Sequence, residues 1–250
     1  MERLNKVIAA SGICSRRKAD QLIAEGKVTI NGKVVTELGT MVSNKDLVQV
    51  NGVELAKEDK KYYCLYKPRG VISSVSDEKD RRTVISILPE MLKKERLFPV
   101  GRLDYDTNGV IILTNDGEFM NACVGPSSGV EKEYLARVKG IVKKEELEIF
   151  YKGMRINGEK LLPCRYNLES VDTVNQSSLV RVITTEGKYH QVKEMFKAIG
   201  HDVKKLKRVR FGCVTLDGLK EGEIRPLTIH EIKTFYFLAK EDKNIRKRGK

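Results

Sequence analysis

The sequence has only three histidines and no long apolar run, and each shortage argues against a class of protein. The histidines, His190, His201 and His230, do not pair with one another at helical spacing or with a cysteine, which argues against a metal site. No apolar stretch approaches the roughly 18 to 20 residues of a membrane-spanning helix, and the start, MERLNKVIAASG, is too short and too polar for a signal peptide. We therefore expect a cytoplasmic protein without a membrane partner.

Cysteine is present but is not arranged as a framework. The five cysteines form no C-x-x-C pair and are far apart in the chain, which argues against both a zinc ribbon and a set of disulfides. We expect them to be reduced and mostly buried. They are Cys14, Cys64, Cys123, Cys164 and Cys213.

Length, composition and net charge indicate the domain organisation and the kind of partner. With 250 residues, 40% hydrophobic and 32% charged, the chain can bury a substantial core and is about long enough for a small and a larger domain. Its 47 Lys and Arg against 34 Asp and Glu leave a formal charge of +13. Such an excess favours a polyanionic partner, and nucleic acid fits better than a membrane surface.

Residues 1–58 carry the pattern of two helices followed by hairpins. Apolar spacing before Gly12 indicates a short helix, and Ser15 is placed to cap a second helix that ends at Gly26. Asn-Gly dipeptides at 31–32 and 51–52 are the strongest short signals for two-residue hairpin turns. The charged segment 56–61 is typical of a linker.

Residues 59–240 alternate strands and helices irregularly, and this predicts a larger α+β domain with a mostly antiparallel sheet. Predicted strands cover 62–66, 97–100, 110–114, 134–138, 179–184 and 203–211. Predicted helices cover 143–152, 191–199 and 229–239. The end, 241–250, is predicted to be a mobile basic tail.

Basic residues lie at the starts of the two N-terminal helices, where charge and free N–H groups could hold phosphates. The alternative, a solvated surface, is about equally favoured by the cluster alone. The candidate phosphate-binding residues are Arg3, Ser15, Arg16, Arg17 and Lys18. The fuller pattern, continuing through Gly26-Lys27-Val28-Thr29-Ile30-Asn31-Gly32, resembles the RNA-binding module shared with the fourth protein of the small ribosomal subunit.

Four further motifs occur in order in the larger domain: Lys67-Pro68-Arg69-Gly70-Val71, Gly101-Arg102-Leu103-Asp104, Lys132-Glu133-Tyr134 and Glu186-Gly187-Lys188-Tyr189-His190-Gln191-Val192-Lys193. Together they resemble the RsuA type of pseudouridine synthase, which modifies ribosomal RNA. The resemblance implies a mixed sheet with flanking helices around a central cleft. It also implies an RNA-modifying isomerase of ribosome biogenesis that needs no cofactor and no metal.

Roles for individual residues follow from the resemblance. It implies that Asp104 is the catalytic carboxylate, Lys193 its basic partner and Tyr134 a ring that stacks on the target uracil. Arg102 is expected to contact phosphate or to fill the gap left by an extruded uridine. Without the motifs, Asp104 is more simply a turn residue, Tyr134 a core residue and Lys193 a surface lysine. Asp106 is expected to be dispensable.

The basic run at 204–210 follows the predicted Lys193 helix. Strand alternation predicts that Leu206 and Arg208 share one face with Lys204 and Arg210, as a ridge that contacts substrate RNA. The family suggests that Leu206 forms the apolar floor beneath the base. Lys67, in the first of the four motifs, is expected to bind RNA.

The choice of RNA rests on one motif. The segment 188–193 resembles small-subunit members more closely than those with Asn-Arg-Glu-Val-Arg in that place, which favours 16S RNA, in an assembling small subunit or naked. The alternatives are a 23S enzyme and a non-catalytic RNA-binding assembly factor. We expect a monomer. Residue types leave open whether Asp104 attacks the sugar or acts through elimination.

Overall fold

A computed structural model describes residues 1–56, 58–125 and 128–248, and the side chains of these residues up to 240. Lys57 of the predicted linker, residues 249–250 and the side chains of the predicted basic tail lie outside the described residues. The chain divides into two compact units, Met1–Lys60 with Asn115–Gly117, and Lys61–Thr114 with Glu118–Lys250. Among the helices described, none is long and apolar enough to cross a bilayer.

The first unit contains two helices and short antiparallel strands. Its elements are β1 Glu2–Arg3, α1 Leu4–Ala10, α2 Arg16–Ala24, β2 Val28–Ile30, β3 Lys33–Val35, β4 Met41–Val42, β5 Val48–Val50 and β6 Val53–Glu54. Strands pair in the order β3-β2-β5-β6, and β1 pairs with β4. The helix-helix-hairpin arrangement predicted from the sequence is confirmed.

The signals read from the sequence act as expected in this unit. The Oγ of Ser15 accepts a hydrogen bond from the backbone N–H of Lys18 (3.2 Å) and so caps α2. Asn31 and Gly32 have φ of 51° and 79°, which are the positive values that a type I′ turn requires. Apolar residues of both helices and of β2 and β5 form the core of the unit.

The second unit contains a large sheet with helices. Its elements are β7 Tyr62–Lys67, α3 Glu90–Lys93, β8 Phe98–Val100, β9 Asn108–Thr114, α4 Gly117–Val124, β10 Lys132–Lys139, α5 Lys144–Lys152, β11 Arg155–Ile156, β12 Glu159–Lys160, β13 Arg165–Asp172, β14 Ser177–Thr184, α6 Gln191–Ala198, β15 Val203–Phe211, β16 Val214–Thr215, β17 Ile224–Pro226 and α7 Ile229–Arg248. The predicted α+β class is confirmed. Helix α7 continues to Arg248, nine residues beyond the predicted end at 239.

The main sheet has the order β13-β14-β10-β15-β9-β7-β17, with β8 on β9 and β16 on β15. Among the described pairs of this sheet, β15 with β9 is parallel and the others are antiparallel. Strand β9 is apolar on both faces: Val110 and Ile112 pack into one core cluster, and Ile111 and Leu113 into another. The sheet is therefore covered on both sides where β9 lies.

Irregular pairing in β15 changes which side chains share a face. Tyr134 of β10 lies opposite Arg208, but its neighbour Glu133 lies opposite Arg210, so Val209 is the extra residue of a bulge. Arg210 therefore turns away from Arg208. A second irregularity leaves Lys204 without a partner on β10, and its side chain is exposed. The predicted common face holds for Leu206 and Arg208 and is wrong for Lys204 and Arg210.

The parallel pairing of β9 with β15 requires a glycine. Gly109 lies opposite Arg208 with φ of 122°, and a Cβ atom built on it would lie 2.1 Å from the carbonyl oxygen of Arg208. Both facts exclude other residues, because the conformation is strained for L side chains and the contact involves rigid backbone. Gly109 thus allows β9 and β15 to approach each other closely.

We predict that Gly109→Ala lowers the free energy of unfolding by about 3 kcal/mol or more, because β9 and β15 must separate to admit the methyl group. The matched control is Gly158→Ala. Gly158 has φ of 81° and open space around its Cα, so this change costs about 1 kcal/mol of backbone strain. Urea unfolding of the two variants measures the difference. Equal losses would contradict the steric argument.

Candidate active site

A cavity of about 500 Å³ opens in the second unit, where loop 101–107, α6 and strands β10, β14 and β15 meet. Its size is within the range of small-molecule sites and sufficient for a nucleoside. Five of the residues singled out from the sequence contribute to its lining: Arg102, Asp104, Tyr134, Leu206 and Arg208. The fold therefore brings together residues from distant parts of the chain.

Asp104 lies in the loop between β8 and β9, and Lys193 extends to it from the first turn of α6. The Nζ of Lys193 is 2.9 Å from Oδ2 of Asp104 and 2.6 Å from Oδ1 of Asp106. Burial opposes the charge of Lys193, but its hydrogen bonds to Asp106 and Asp104 outweigh that cost and raise its pKa. The ammonium of Lys193 thus positions the carboxyl group of Asp104 at the wall of the cavity.

Asp106 is also part of this arrangement. Burial works against its ionised form, but the hydrogen bond from Lys193 prevails and lowers the pKa of Asp106. Its side chain is 55% exposed, whereas that of Asp104 is 25% exposed and lines the cavity. The two carboxylates share one lysine, and Asp104 is the one that faces the enclosed space.

His190 is a further neighbour of Asp104 that the sequence reasoning did not single out. Its Nε2 lies 3.5 Å from Oδ1 of Asp104, and its ring stacks on exposed Tyr189 with the centroids 3.8 Å apart. His190 has a φ of 50° at the N-cap of α6. His190 is one residue of the fourth motif, and its strained backbone sets it apart from the others. The sequence alone does not show backbone angles, so this signal could not be used.

Lys67, which the sequence analysis expects to bind RNA, has no exposed surface with which to reach it. Its side chain is fully buried, and Nζ donates hydrogen bonds to the backbone carbonyls of Pro68 (3.0 Å), Asp104 (3.1 Å) and Thr107 (2.8 Å). Burial lowers the pKa of Lys67 to about 8, although Asp104 and Asp106 oppose the shift. Lys67 therefore fixes the loop that carries Asp104.

Tyr134, Leu206 and Arg208 line the cavity from the sheet. Tyr134 of β10 lies directly opposite Arg208 of β15, and Ala136 lies opposite Leu206, so these side chains share one face. Tyr134 is 9% exposed and Arg208 only 3%. Arg208 is thus an internal residue of the cavity and not part of a surface ridge.

Lys132 is a second buried cation on this face that the sequence reasoning quoted in a motif but gave no role. It is 6% exposed, and its Nζ donates hydrogen bonds to the carbonyls of Val130 and Thr185, both at 2.9 Å. Burial is the main cause that lowers the pKa of Lys132 to about 8, with the charge of Arg208 adding to it. Lys132 connects the start of β10 to the segment that leaves β14.

The remaining predicted residues are exposed. Arg102 lies on the rim of the cavity. Arg3, Ser15, Arg16, Arg17 and Lys18 belong to the first unit, where all five side chains reach solvent. Among the residues described, no group of three or more His, Cys, Asp or Glu side chains could hold a metal ion.

Two family patterns match the chain. The family described as RNA pseudouridylate synthase matches residues 61–198, and the S4 domain matches residues 2–48. The first match covers more than half of the chain and contains Asp104, Tyr134 and Lys193. The second contains the exposed basic residues of the first unit.

The chain is also similar over most of its length to individual proteins. It is 48% identical over 244 residues to ribosomal large subunit pseudouridine synthase B of Bacillus subtilis, which covers 98% of this chain and 99% of the relative. It is 37% identical to a putative chloroplastic ribosomal large subunit pseudouridine synthase of Arabidopsis thaliana, over 90% of this chain and 60% of that protein. A crystal structure of a pseudouridylate synthase aligns with a TM-score of 0.68 and 32% identity, over 94% of this chain and all of that one.

We predict that Lys67 makes stability depend on pH. Its folded-state pKa of about 8 lies below the ordinary value of 10.5, so folding is penalised wherever the unfolded lysine binds a proton, because the folded protein must either bury the ammonium or release the proton. The penalty is complete below pH 8 and disappears as pH rises to 10.5, a gain of about 3 kcal/mol at roughly 1.4 kcal/mol per pKa unit. Urea unfolding of wild type and Lys67→Met across this range isolates the effect, and a constant difference between them would contradict it.

Proposed function

Because the chain belongs to the RNA pseudouridylate synthase family, we propose that it isomerises a uridine of large-subunit ribosomal RNA to pseudouridine, with Asp104 as the reacting carboxylate. The observation that carries the proposal is the Asp104–Lys193 pair at the wall of a cavity large enough for a nucleoside. An ionised carboxylate beside an enclosed space is what this reaction requires at the sugar. A non-catalytic assembly factor would not need such a pair.

The isomerisation breaks the bond between uracil N1 and ribose C1′ and joins C5 to C1′ instead. A uridine must leave the RNA stack for its sugar and base to enter the cavity. In the proposed complex Asp104 faces the sugar, Tyr134 stacks on the uracil, and Leu206 supplies apolar contact to it. Arg102 on the rim contacts the phosphates beside the flipped nucleotide or fills the space it leaves.

The large-subunit assignment replaces the expectation of 16S RNA. That expectation rested on six residues, 188–193, whereas the likeness to the Bacillus subtilis large-subunit enzyme extends over 244 residues. The alignment extends over 98% of this chain, whereas the motif covers only the three residues before α6 and the first three residues of the helix. The 23S alternative therefore has the better support.

The first unit is proposed to hold the RNA. Arg3, Arg16, Arg17 and Lys18 are exposed and lie within the S4 domain match, where they provide charge for phosphate contacts. Ser15 already uses its hydroxyl to cap α2, so its contribution is to form the helix start that presents Arg16 and Arg17.

We predict that Asp104→Asn lowers the single-turnover rate of pseudouridine formation by about 1,000-fold or more, while RNA affinity changes little. The substitution keeps size and polarity and removes the reacting charge. The rate is measured on ribosomal RNA transcripts by nucleoside analysis, and affinity by filter binding.

Two variants serve as controls for this change. Asp172→Asn alters a half-buried aspartate at the end of β13 that does not line the cavity, and we expect wild-type turnover. Asp106→Asn removes the second partner of Lys193 but leaves Asp104, and we expect a loss of about tenfold or less. Wild-type activity in Asp104→Asn would refute the assignment of Asp104.

We predict that cells without this protein lack one or more pseudouridines in 23S RNA and keep those in 16S RNA. The measurement is pseudouridine mapping of both ribosomal RNAs, with the deletion complemented by wild type or by Asp104→Asn. Restoration by wild type alone would tie the missing modification to the carboxylate. A site lost from 16S RNA instead would refute the large-subunit assignment.

A further inference from the structure

Three buried side-chain polar atoms in the described part of the structure have no hydrogen-bond partner, and two of them belong to residues that line the cavity. They are Nη2 of Arg208 and Oγ1 of Thr107, and the third, Oδ1 of Asn5, lies in the first unit. A buried polar group without a partner costs folding free energy. Two such groups in one cavity indicate that they serve a bound molecule.

Arg208 is held so that one end of its guanidinium remains available. Its Nε donates to the carbonyl of Val110 (2.8 Å), and the group lies over the ring of Phe211, 4.9 Å from the centroid. No salt bridge that the structure describes includes Arg208. Val110 and Phe211 therefore fix the side chain, while Nη2 has no acceptor in the protein.

The two buried lysines of the site differ from Arg208 in this respect. Lys67 donates to three backbone carbonyls and Lys132 to two, so their ammonium groups are satisfied within the protein. The charge of Arg208 contributes to the lowered pKa of both lysines, which places the three cations near one another. This region of the cavity is therefore positive and suited to negative charge on a ligand.

Thr107 supplies the second available group. It is 1% exposed, its N–H donates to the carbonyl of Asp104 (3.1 Å), and its carbonyl accepts from Lys67. The backbone of Thr107 is thus fixed by hydrogen bonds, and its hydroxyl is free to donate. The pairing of β9 with β15 starts at the next residue, Asn108, and brings this segment beside Arg208.

Negative charge develops on the base during the proposed reaction. When N1–C1′ breaks, its electron pair leaves with the uracil and is shared by N1, O2 and O4. After the base turns, C5 bonds to C1′ and loses its proton, and N1 gains one, so that no atom is added or removed. The base of a flipped nucleotide enters deepest, whereas its phosphates stay near the rim.

We propose that Nη2 of Arg208 and the hydroxyl of Thr107 bind a carbonyl oxygen of the uracil and stabilise the charge that it carries after the glycosidic bond breaks. The proposal rests on the proposed function. It assigns to Arg208 a role in rate rather than in RNA affinity, because the stabilised charge exists only once the bond is breaking.

The test compares leaving groups. Single-turnover rates are measured for wild type and Arg208→Met on RNA with uridine and on the same RNA with 5-fluorouridine at the target, by loss of the original nucleoside in nuclease digests. Fluorine withdraws electrons from the ring, so the negative charge of the detached 5-fluorouracil anion needs less stabilisation by the protein. We expect Arg208→Met to lose about 100-fold or more with uridine and less than about tenfold with 5-fluorouridine, at unchanged RNA affinity.

Further variants separate this role from a structural one. Thr107→Val removes only the hydroxyl, and we expect a loss of about tenfold in rate with a urea midpoint no lower than that of wild type, since no protein bond is broken. This variant also tests the proposal if Arg208→Met does not fold. Arg137→Met removes a charge from β10 on the face away from Tyr134 and should keep the wild-type rate.

Three results would overturn the proposal. One is an equal loss with both bases, which indicates structural damage. Another is reduced affinity at an unchanged rate, which assigns Arg208 to a phosphate. The last is wild-type activity in Thr107→Val and Arg208→Met.

Failure of the proposed substrate is a different outcome. If wild type modifies another RNA but not large-subunit RNA, the proposed substrate is wrong, and the two bases are then compared in the RNA that is modified.

Discussion

The ammonium group of Lys67 donates hydrogen bonds to carbonyls at Pro68, Asp104 and Thr107, and so joins the end of β7 to the loop that carries Asp104. Leu103 is the one residue of loop 101–107 that joins the hydrophobic core, so the rest of the loop depends on hydrogen bonds to hold its conformation. A buried donor with three acceptors supplies that restraint. The position of Asp104 relative to Lys193, His190 and the sheet depends on it.

The site concentrates positive charge around the half-buried carboxyl group of Asp104. Lys193, Lys67, Lys132 and Arg208 differ in how they are satisfied: the first by two aspartates, the next two by backbone carbonyls, and Arg208 only in part. Such an arrangement costs folding stability in the free protein. That cost is offset when an anionic or charge-developing ligand enters. The charge of +13 over the chain adds long-range attraction for RNA.

Local signals predicted much of the fold. Ser15 as a cap, the Asn-Gly turns and the apolar strands such as β9 were readable because each depends on a few neighbouring residues. Strand β13 was missed because its side chains are polar and mostly exposed, and the face of Arg210 was wrong because bulges depend on the partner strand. Motif resemblance located Asp104 and Lys193, but burial of Lys67 and Arg208 depends on tertiary packing and is not encoded in residue type.

The parallel pairing at Gly109 also has a kinetic consequence. Strands β7, β8, β9 and β17 form one part of the main sheet and β10, β13, β14 and β15 the other, and the pairing of Asn108 and Gly109 with Lys207 and Arg208 joins them. Residues about 100 positions apart must meet to close this seam. Such contacts form slowly, because the chain loses the entropy of closing a long loop before the contact stabilises it. The cavity takes residues from both parts, Asp104 and Thr107 from one side and Tyr134 and Arg208 from the other, so it exists only once this seam has closed.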